Sequence, residues 1–315
     1  MLWILAFAGL LLAIPAEALA SFDWVTVGSP GNAADDTGFG AVGGTYEIAR
    51  YETTNAQYAA FLNAVAATDT NGLYHESMGS DARNGGITRS GTPGSFSYSV
   101  KSGFADKPVI YVSFYDAIRL ANWLHNGQPT GLQDDSTTES GSYTITPAGI
   151  SGNSITRNVG ATVQLPNEDE WYKAAYHTGG SSYFDFPAGT STLISCDAPG
   201  SSANTANCNF SVNRLSEVGS YTASASPNGT FDQGGNVWEW NEPVFLGAGR
   251  VLRGGSFIDD REILGASERI GFLPTNEVDT VGFRLVRGLP EPGSLLQLVV
   301  GIASLAAVGR RRARR

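Results

Sequence analysis

Apolar residues recur at helical spacing in three stretches of the chain. Residues 55–66 follow a pair of threonines that can cap a helix, and residues 115–124 follow Ser113, which can do the same. Residues 167–176 open with three acidic side chains, which suit the positive end of a helix dipole. The pattern therefore predicts three helices separated by long connecting segments.

Strands are predicted where β-branched and aromatic residues cluster between turn-forming residues. The segments between the predicted elements are rich in Gly, Ser, Thr and Asn, so residues 71–101 and 128–158 are expected to form long loops or hairpins. Because the chain holds 39 glycines, regular structure should be a minority of the fold. The predicted strands are 46–51, 109–112, 234–240, 250–257 and 281–286.

The N-terminal segment is typical of a secretory signal. An apolar run over 2–14 ends at Pro15, and the small residues of Ala18-Leu19-Ala20 then precede Ser21. We expect residues 1–20 to be removed by signal peptidase. The alternative is a buried N-terminal helix.

The C-terminal segment carries Pro290, Glu291 and Pro292, an apolar stretch over 295–308, and five arginines near the end. A basic cluster after an apolar run stays on the cytoplasmic side of the inner membrane. Residues 289–315 resemble the PEP-CTERM sorting tail, which inserts transiently into the inner membrane and is cleaved by an exosortase. The alternative is a plain membrane anchor. Both interpretations place the protein in the periplasm, on the cell surface or outside the cell.

Residues 21–288 are long enough for one large domain. Loss of both end segments would move the formal charge from −10 to about −13, which disfavours nucleic-acid binding. The two cysteines, Cys196 and Cys208, lie in a Ser/Asn/Gly-rich loop. In an oxidising compartment they are expected to form a structural disulfide.

Seven short segments recur in a characteristic order along the chain: Tyr46–Asn63, Pro108–Leu124, Leu165–Trp171, Val218–Tyr221, Gly235–Trp240, Arg253–Phe257 and Gly282–Arg284. Taken in order, these segments resemble the landmarks of the formylglycine-generating enzyme, or sulfatase-modifying factor, family. The resemblance implies a mixed α/β (α+β), irregular, C-type-lectin-like fold with little regular secondary structure.

Enzymes of this family use oxygen and a copper(I) ion to oxidise the cysteine of a Cys-x-Pro-x-Arg sequence to formylglycine. The copper is held by two cysteines that follow the Arg-Gly-Gly-Ser strand. Here those positions are Asp259 and Leu264, and neither offers the soft thiolate that copper(I) requires. Copper is therefore not expected. The resemblance places Trp238, Ser256 and Asp259 nearest to the family's active centre, as candidates for lining a groove, although an aromatic such as Trp238 could equally belong to the core.

Two other metal sites are disfavoured. The acidic run Asp259, Asp260 and Glu262 could bind a hard cation but is more typical of a solvated surface. The related sulfoxide synthases use three histidines and an additional helical domain, whereas the three histidines of this chain lack metal-ligand spacing.

Calcium is the metal that the resemblance favours. The family holds it with backbone carbonyl groups and a glutamate of the Gly-Asn-x-Trp-Glu-Trp motif, here Gly235, Val237 and Glu239, and oxygen ligands suit calcium. A second family calcium site would include Asn207. The alternative is that Glu239 merely caps a turn.

Three functional hypotheses follow. The first is a non-oxidase binding or scaffold protein of the cell envelope with an unknown extracellular ligand. The second is an enzyme with formylglycine-generating-type or other chemistry in the same groove. The third is a protein that assists an exported sulfatase without modifying it.

Overall fold

A computed structural model describes residues 19–289. Residues 1–18 and 290–315 lie outside the described part. The Pro290-Glu291-Pro292 motif, the apolar run before the terminal arginines and most of the predicted signal peptide therefore also lie outside it. Among residues 19–289, no helix is both long enough and apolar enough to cross a bilayer.

The three predicted helices are confirmed, and each begins with a reciprocal pair of capping hydrogen bonds. Thr54, Ser113 and Asn167 accept a backbone N–H from the third helical residue, whose side chain accepts in return from the capping residue. Such pairs satisfy two amides that would otherwise lack partners. The helices are α1 (Asn55–Val65), α2 (Ser77–Ser80), α3 (Phe114–His125), α4 (Pro147–Ser151) and α5 (Glu168–Tyr176).

The strands are short and form four small sheets in the described residues, with neighbour orders β1-β2-β11, β10-β7-β8-β9, β3-β4 and β5-β6. The sheet strands β7, β8 and β9 pair antiparallel, while β10 pairs parallel to β7. The mixed, irregular α/β fold is thus the one expected. The strands are β1 (Trp24–Val27), β2 (Tyr46–Ala49), β3 (Ile87–Ser90), β4 (Ser97–Val100), β5 (Ser195–Cys196), β6 (Thr205–Ala206), β7 (Trp238–Phe245), β8 (Gly249–Arg253), β9 (Ile270–Phe272), β10 (Val281–Gly282) and β11 (Val286–Gly288).

The predicted strand 109–112 is wrong. Tyr111 has a left-handed backbone (φ 58°), which interrupts extended pairing, and only Pro108 forms a bridge, to Thr54. The predicted strand 250–257 is too long, because Gly254 and Gly255 also have positive φ and β8 ends at Arg253. The prediction of loops or hairpins over residues 71–101 is confirmed by the β3–β4 hairpin, whereas the short helix α2 in the same segment was not predicted.

The main core lies where α1 and α3 pack near β7 and the segment after β10. Phe61, Trp123, Trp240 and Phe283 are buried within it. Full burial of such a side chain stabilises a fold by about 1.5–3 kcal/mol. This core holds β7 and β8 in place, and these strands lead into the predicted site residues.

Candidate functional site

The turn after β8 brings the three predicted groove residues together. A side chain at Gly254 would lie 2.9 Å from the Gln233 carbonyl oxygen and 3.3 Å from the Trp171 ring, so only glycine fits. Beyond this turn, Asp259 Oδ2 accepts hydrogen bonds from Ser256 N (2.9 Å), Ser256 Oγ (2.5 Å) and Trp238 Nε1 (2.9 Å).

This geometry makes Asp259 the acceptor that closes a turn. One carboxylate oxygen satisfies three donors, and Ser256 is completely buried while Trp238 is nearly so. The Ser256 hydroxyl therefore donates its hydrogen bond to Asp259 and has no exposed surface for contact with a substrate. Trp238 is at the same time a core residue, because it packs within the main hydrophobic cluster.

Leu264, the second residue that the resemblance aligned with a copper-binding cysteine, is completely buried at the end of a short 3-10 helix, Arg261–Leu264. It packs in an apolar cluster with Ile194, Ala206 and Cys208. Cys208 forms a disulfide with Cys196. The disulfide and Leu264 are far apart in the sequence but pack in the same apolar cluster.

An exposed apolar pair, Phe210 and Ile258, lies beside Asp259. The Phe210 N–H donates to the Phe257 carbonyl (2.9 Å), and the Asn209 N–H donates to the Asp259 carbonyl (2.7 Å). Phe210 is 54% exposed and Ile258 36% exposed. Asn209 and Phe210 both have left-handed backbone, which costs a bulky residue about 1–3 kcal/mol. Sequence reasoning missed this pair, since nothing local indicates that a phenylalanine adopts positive φ.

Glu239, the predicted calcium ligand on β7, is completely buried and already has strong partners. Arg284 donates to both carboxylate oxygens at 2.7 Å, and Trp171 Nε1 donates to Oε2 at 2.7 Å. Arg284 also donates to the carbonyl groups of Ala49, Arg50 and Phe231. This ion pair therefore joins β7 to the segment that follows β2.

Two further buried carboxylates act on the same ion pair. Burial and the nearby Asp232 raise the pKa of Glu52 well above its usual value, while Arg284 opposes the rise. Burial raises the pKa of Asp232 to about 6, against the Gly219 hydrogen bond and Arg284. With Glu239 these residues make three carboxylates around one guanidinium, so the cluster would carry an excess of negative charge when fully ionised. Glu52 belongs to the Glu-x-Thr-Asn segment of the resemblance, but no sequence signal pointed to Asp232.

Asn207 packs directly against the Gly-Asn motif. Its backbone carbonyl accepts the Asn236 N–H at 2.9 Å, and a side chain at Gly235 would lie only 2.3 Å from that carbonyl oxygen. Two buried oxygen atoms, Asn207 Oδ1 and Glu52 Oε2, accept no hydrogen bond. The predicted residues 207 and 235 are thus adjacent, with unsatisfied oxygen atoms nearby.

Within residues 19–289, no three His, Cys, Asp or Glu side chains are placed to hold a common metal ion. A cation near Glu239 would therefore depend on backbone carbonyl and amide oxygens, as calcium allows. The histidines are dispersed: His75 stacks on Tyr111, His125 contacts Thr162, and His177 meets the edge of Tyr183.

Residues 41–289 match the family described as the sulfatase-modifying factor enzyme 1-like domain. Because the match covers most of the chain, the protein belongs to this family of sulfatase-modifying-factor domains. No curated protein matches its sequence significantly.

Solved structures agree in fold. CarF is 21% identical, with 86% of this chain and 100% of CarF covered at a TM-score of 0.51. Treponema denticola variable protein 1 is 17% identical, with 85% and 95% covered at a TM-score of 0.51. PvdO from Pseudomonas aeruginosa is 17% identical, with 85% and 92% covered at a TM-score of 0.45. At these identities, the first two show a common fold.

Proposed function

We propose that this chain is an exported, non-oxidase member of the family that binds a ligand at the cell envelope. The proposal rests on the structural roles of Asp259 and Leu264, the residues at the two positions aligned with copper-binding cysteines. Asp259 serves as the acceptor of a turn, and Leu264 is buried in an apolar cluster. Neither side chain supplies a thiolate, and the buried Ser256 hydroxyl offers no replacement nucleophile.

The exposed pair Phe210 and Ile258 supports ligand binding at the same position. Phe210 is held in a left-handed backbone conformation: its N–H donates to the Phe257 carbonyl, and the neighbouring Asn209 N–H donates to the Asp259 carbonyl. More than half of Phe210 is nevertheless exposed to solvent. An aromatic residue fixed in this way contributes contact area without a large loss of conformational entropy on binding. The ligand would contact this apolar pair rather than a catalytic group.

Calcium is the cofactor that we assign to the buried part of the site. The carbonyl groups of Gly235 and Val237 and the carboxylate of Glu239 would hold one ion, and Asn207 would serve a second position. The unsatisfied Asn207 Oδ1 and Glu52 Oε2 supply oxygen donors of the type calcium prefers, and a bound cation would favour ionisation of Glu52 and Asp232, whose pKa values are raised by burial. The ion would stabilise the fold and would take no part in a reaction.

Export is the remaining part of the proposal. It is supported by the signal-type N-terminus and by the resemblance of residues 289–315 to a PEP-CTERM tail. Signal peptidase and an exosortase would be the processing partners, and the net negative charge of the body disfavours nucleic acid as a partner.

Competition for copper(I) tests the loss of the oxidase site. The purified chain is titrated into a chromogenic copper(I) chelator with ascorbate, beside an authentic formylglycine-generating enzyme. We expect the chain to withdraw no copper, whereas the enzyme does. The double variant Cys196→Ala/Cys208→Ala is the matched control for capture by a reduced disulfide. Withdrawal of one equivalent of copper by this variant would contradict the proposal.

A further inference from the structure

Ala20 is anchored to the folded body by both of its backbone groups. Its N–H donates to Gln128 Oε1 (2.8 Å), and its carbonyl accepts from Gln128 Nε2 (3.0 Å). Ala20 is only 8% exposed and belongs to the main hydrophobic cluster. The N–H and the carbonyl of this buried residue are therefore both satisfied, as buried backbone groups generally are in a folded domain.

The carbonyl group of Ser21 is held by a side chain of α1. Gln57 Nε2 donates to the Ser21 carbonyl at 2.7 Å, while Gln57 Oε1 accepts the Thr54 N–H that begins the helix. A residue of the capping pair therefore also fixes the chain entering the domain. We name residues 19–21 the N-terminal latch.

The latch borders a cavity of about 600 Å³ at the start of α1. The charged residues lining the cavity are all acidic, namely Asp23, Asp106 and Glu217. The first amides of α1 are already engaged, because Asn55, Ala56 and Gln57 donate to Lys107, Ala105 and Thr54. Asp23 is already paired with Arg50 Nε at 2.7 Å, which leaves Asp106 and Glu217 as the carboxylates that would stabilise a positive group in the cavity.

We propose that signal peptidase cleaves after Ala18, so that Leu19 is the mature N-terminus and its ammonium group lies at the acidic cavity. Water adds across the Ala18–Leu19 peptide bond, leaving a carboxylate on Ala18 and an ammonium group on Leu19. Ala16 and Ala18 provide the small residues that the peptidase requires. The inference rests on the proposed export. It differs from cleavage before Ser21, which would remove Ala20 and both of its hydrogen bonds with Gln128.

The intact mass of the exported protein tests the cleavage position. The full chain, with its own N-terminus, is produced in a bacterial host and recovered from the periplasm or membrane fraction for top-down mass spectrometry. A first residue of Leu19 is expected. A first residue of Ser21 would overturn the inference while leaving export intact, and an uncleaved chain starting at Met1 would overturn both.

A thermal-unfolding cycle tests the latch separately from export. Chains starting at Leu19 and at Ser21, both continuing to Arg315, are released from a cleavable tag, each with and without Gln128→Ala. We expect Gln128→Ala to lower the midpoint of the Leu19 chain by about 3 °C or more beyond its effect in the Ser21 chain. Equal effects in the two chains would show that the hydrogen bonds between Ala20 and Gln128 do not stabilise the fold, and would overturn the inference.

Discussion

A carboxylate at position 259 accepts hydrogen bonds that a thiol would accept only weakly. Asp259 Oδ2 receives the Trp238 indole N–H, the Ser256 amide and the Ser256 hydroxyl. Under the proposed correspondence of position 259 with a family cysteine, the aspartate therefore does more than leave out a copper ligand. It supplies the turn with an acceptor that holds Trp238 and Ser256 in place.

Replacement of Asp259 by alanine should destabilise the fold, because the buried Ser256 hydroxyl and amide would lose their acceptor. We expect a loss of roughly 1–3 kcal/mol in the free energy of unfolding, measured by denaturant titration. Asp259→Asn is the matched control, since it keeps an acceptor oxygen and should cost less. If both variants unfold at the wild-type denaturant concentration, the turn-closing role of Asp259 is wrong.

The sequence could predict which residues meet at this position only through the family resemblance. Trp238, Ser256 and Asp259 are brought together by Gly254 and Gly255, whose positive φ no hydrophobic pattern reveals. Phe210 and Asp232 escaped prediction for a related reason. Their placement depends on left-handed turns and on burial by distant segments, and neither leaves a local signal.

At the scale of elements, the helices were predictable because their signals are local. The capping residues and apolar spacing of α1, α3 and α5 lie within a dozen residues each. The strand predicted over 109–112 failed because its apolar residues are buried without a pairing partner, and Tyr111 departs from extended backbone. Apolar runs of this length indicate burial more reliably than they indicate a strand.

The segment after β9 packs its Glu277 against the first turn of α3. Burial, the neighbouring Asp116 and the more distant Asp69 raise the pKa of Glu277 from 4.5 to about 8. Burial also raises the pKa of Asp116. Arg119, which forms an ion pair with Glu139, places its Nη1 3.9 Å from Asp116 Oδ1 and partly offsets that rise. The folded state therefore favours the protonated form of Glu277.

This contact should make stability depend on pH. Since the folded pKa lies above the unfolded one, the contribution is present below pH 4.5 and is lost as pH rises to about 8. Glu277→Gln, which keeps the shape but cannot ionise, should remove this loss. Thermal midpoints measured from pH 5 to pH 9 test this: the midpoint of the variant should rise relative to that of the wild type as the pH increases. Parallel curves would show that Glu277 ionises freely in the folded protein.

At the scale of the whole molecule, calcium should act as a link between distant segments. The Glu239–Arg284 pair joins β7 to the segment after β2, and Asn207 packs on Gly235 from a third segment. A cation bound there would stabilise the folded state alone.

Saturating calcium should therefore raise the thermal midpoint by about 5 °C or more relative to a chelator, since binding at 100 times Kd contributes about 2.7 kcal/mol. Magnesium at the same concentration should raise it less, because that ion requires a tighter octahedral site. Identical scanning calorimetry traces with calcium, magnesium and chelator would show that calcium does not stabilise the folded protein, and would contradict the proposed calcium site.

The oxidation of a Cys-x-Pro-x-Arg peptide tests the central claim most directly. The mature protein is incubated with the peptide in the presence of copper(I), oxygen and a thiol reductant, beside an authentic formylglycine-generating enzyme, and the products are identified by mass spectrometry. The account predicts unchanged cysteine with this protein and formylglycine with the enzyme. Formylglycine produced by this protein would contradict the structural roles assigned to Asp259 and Leu264.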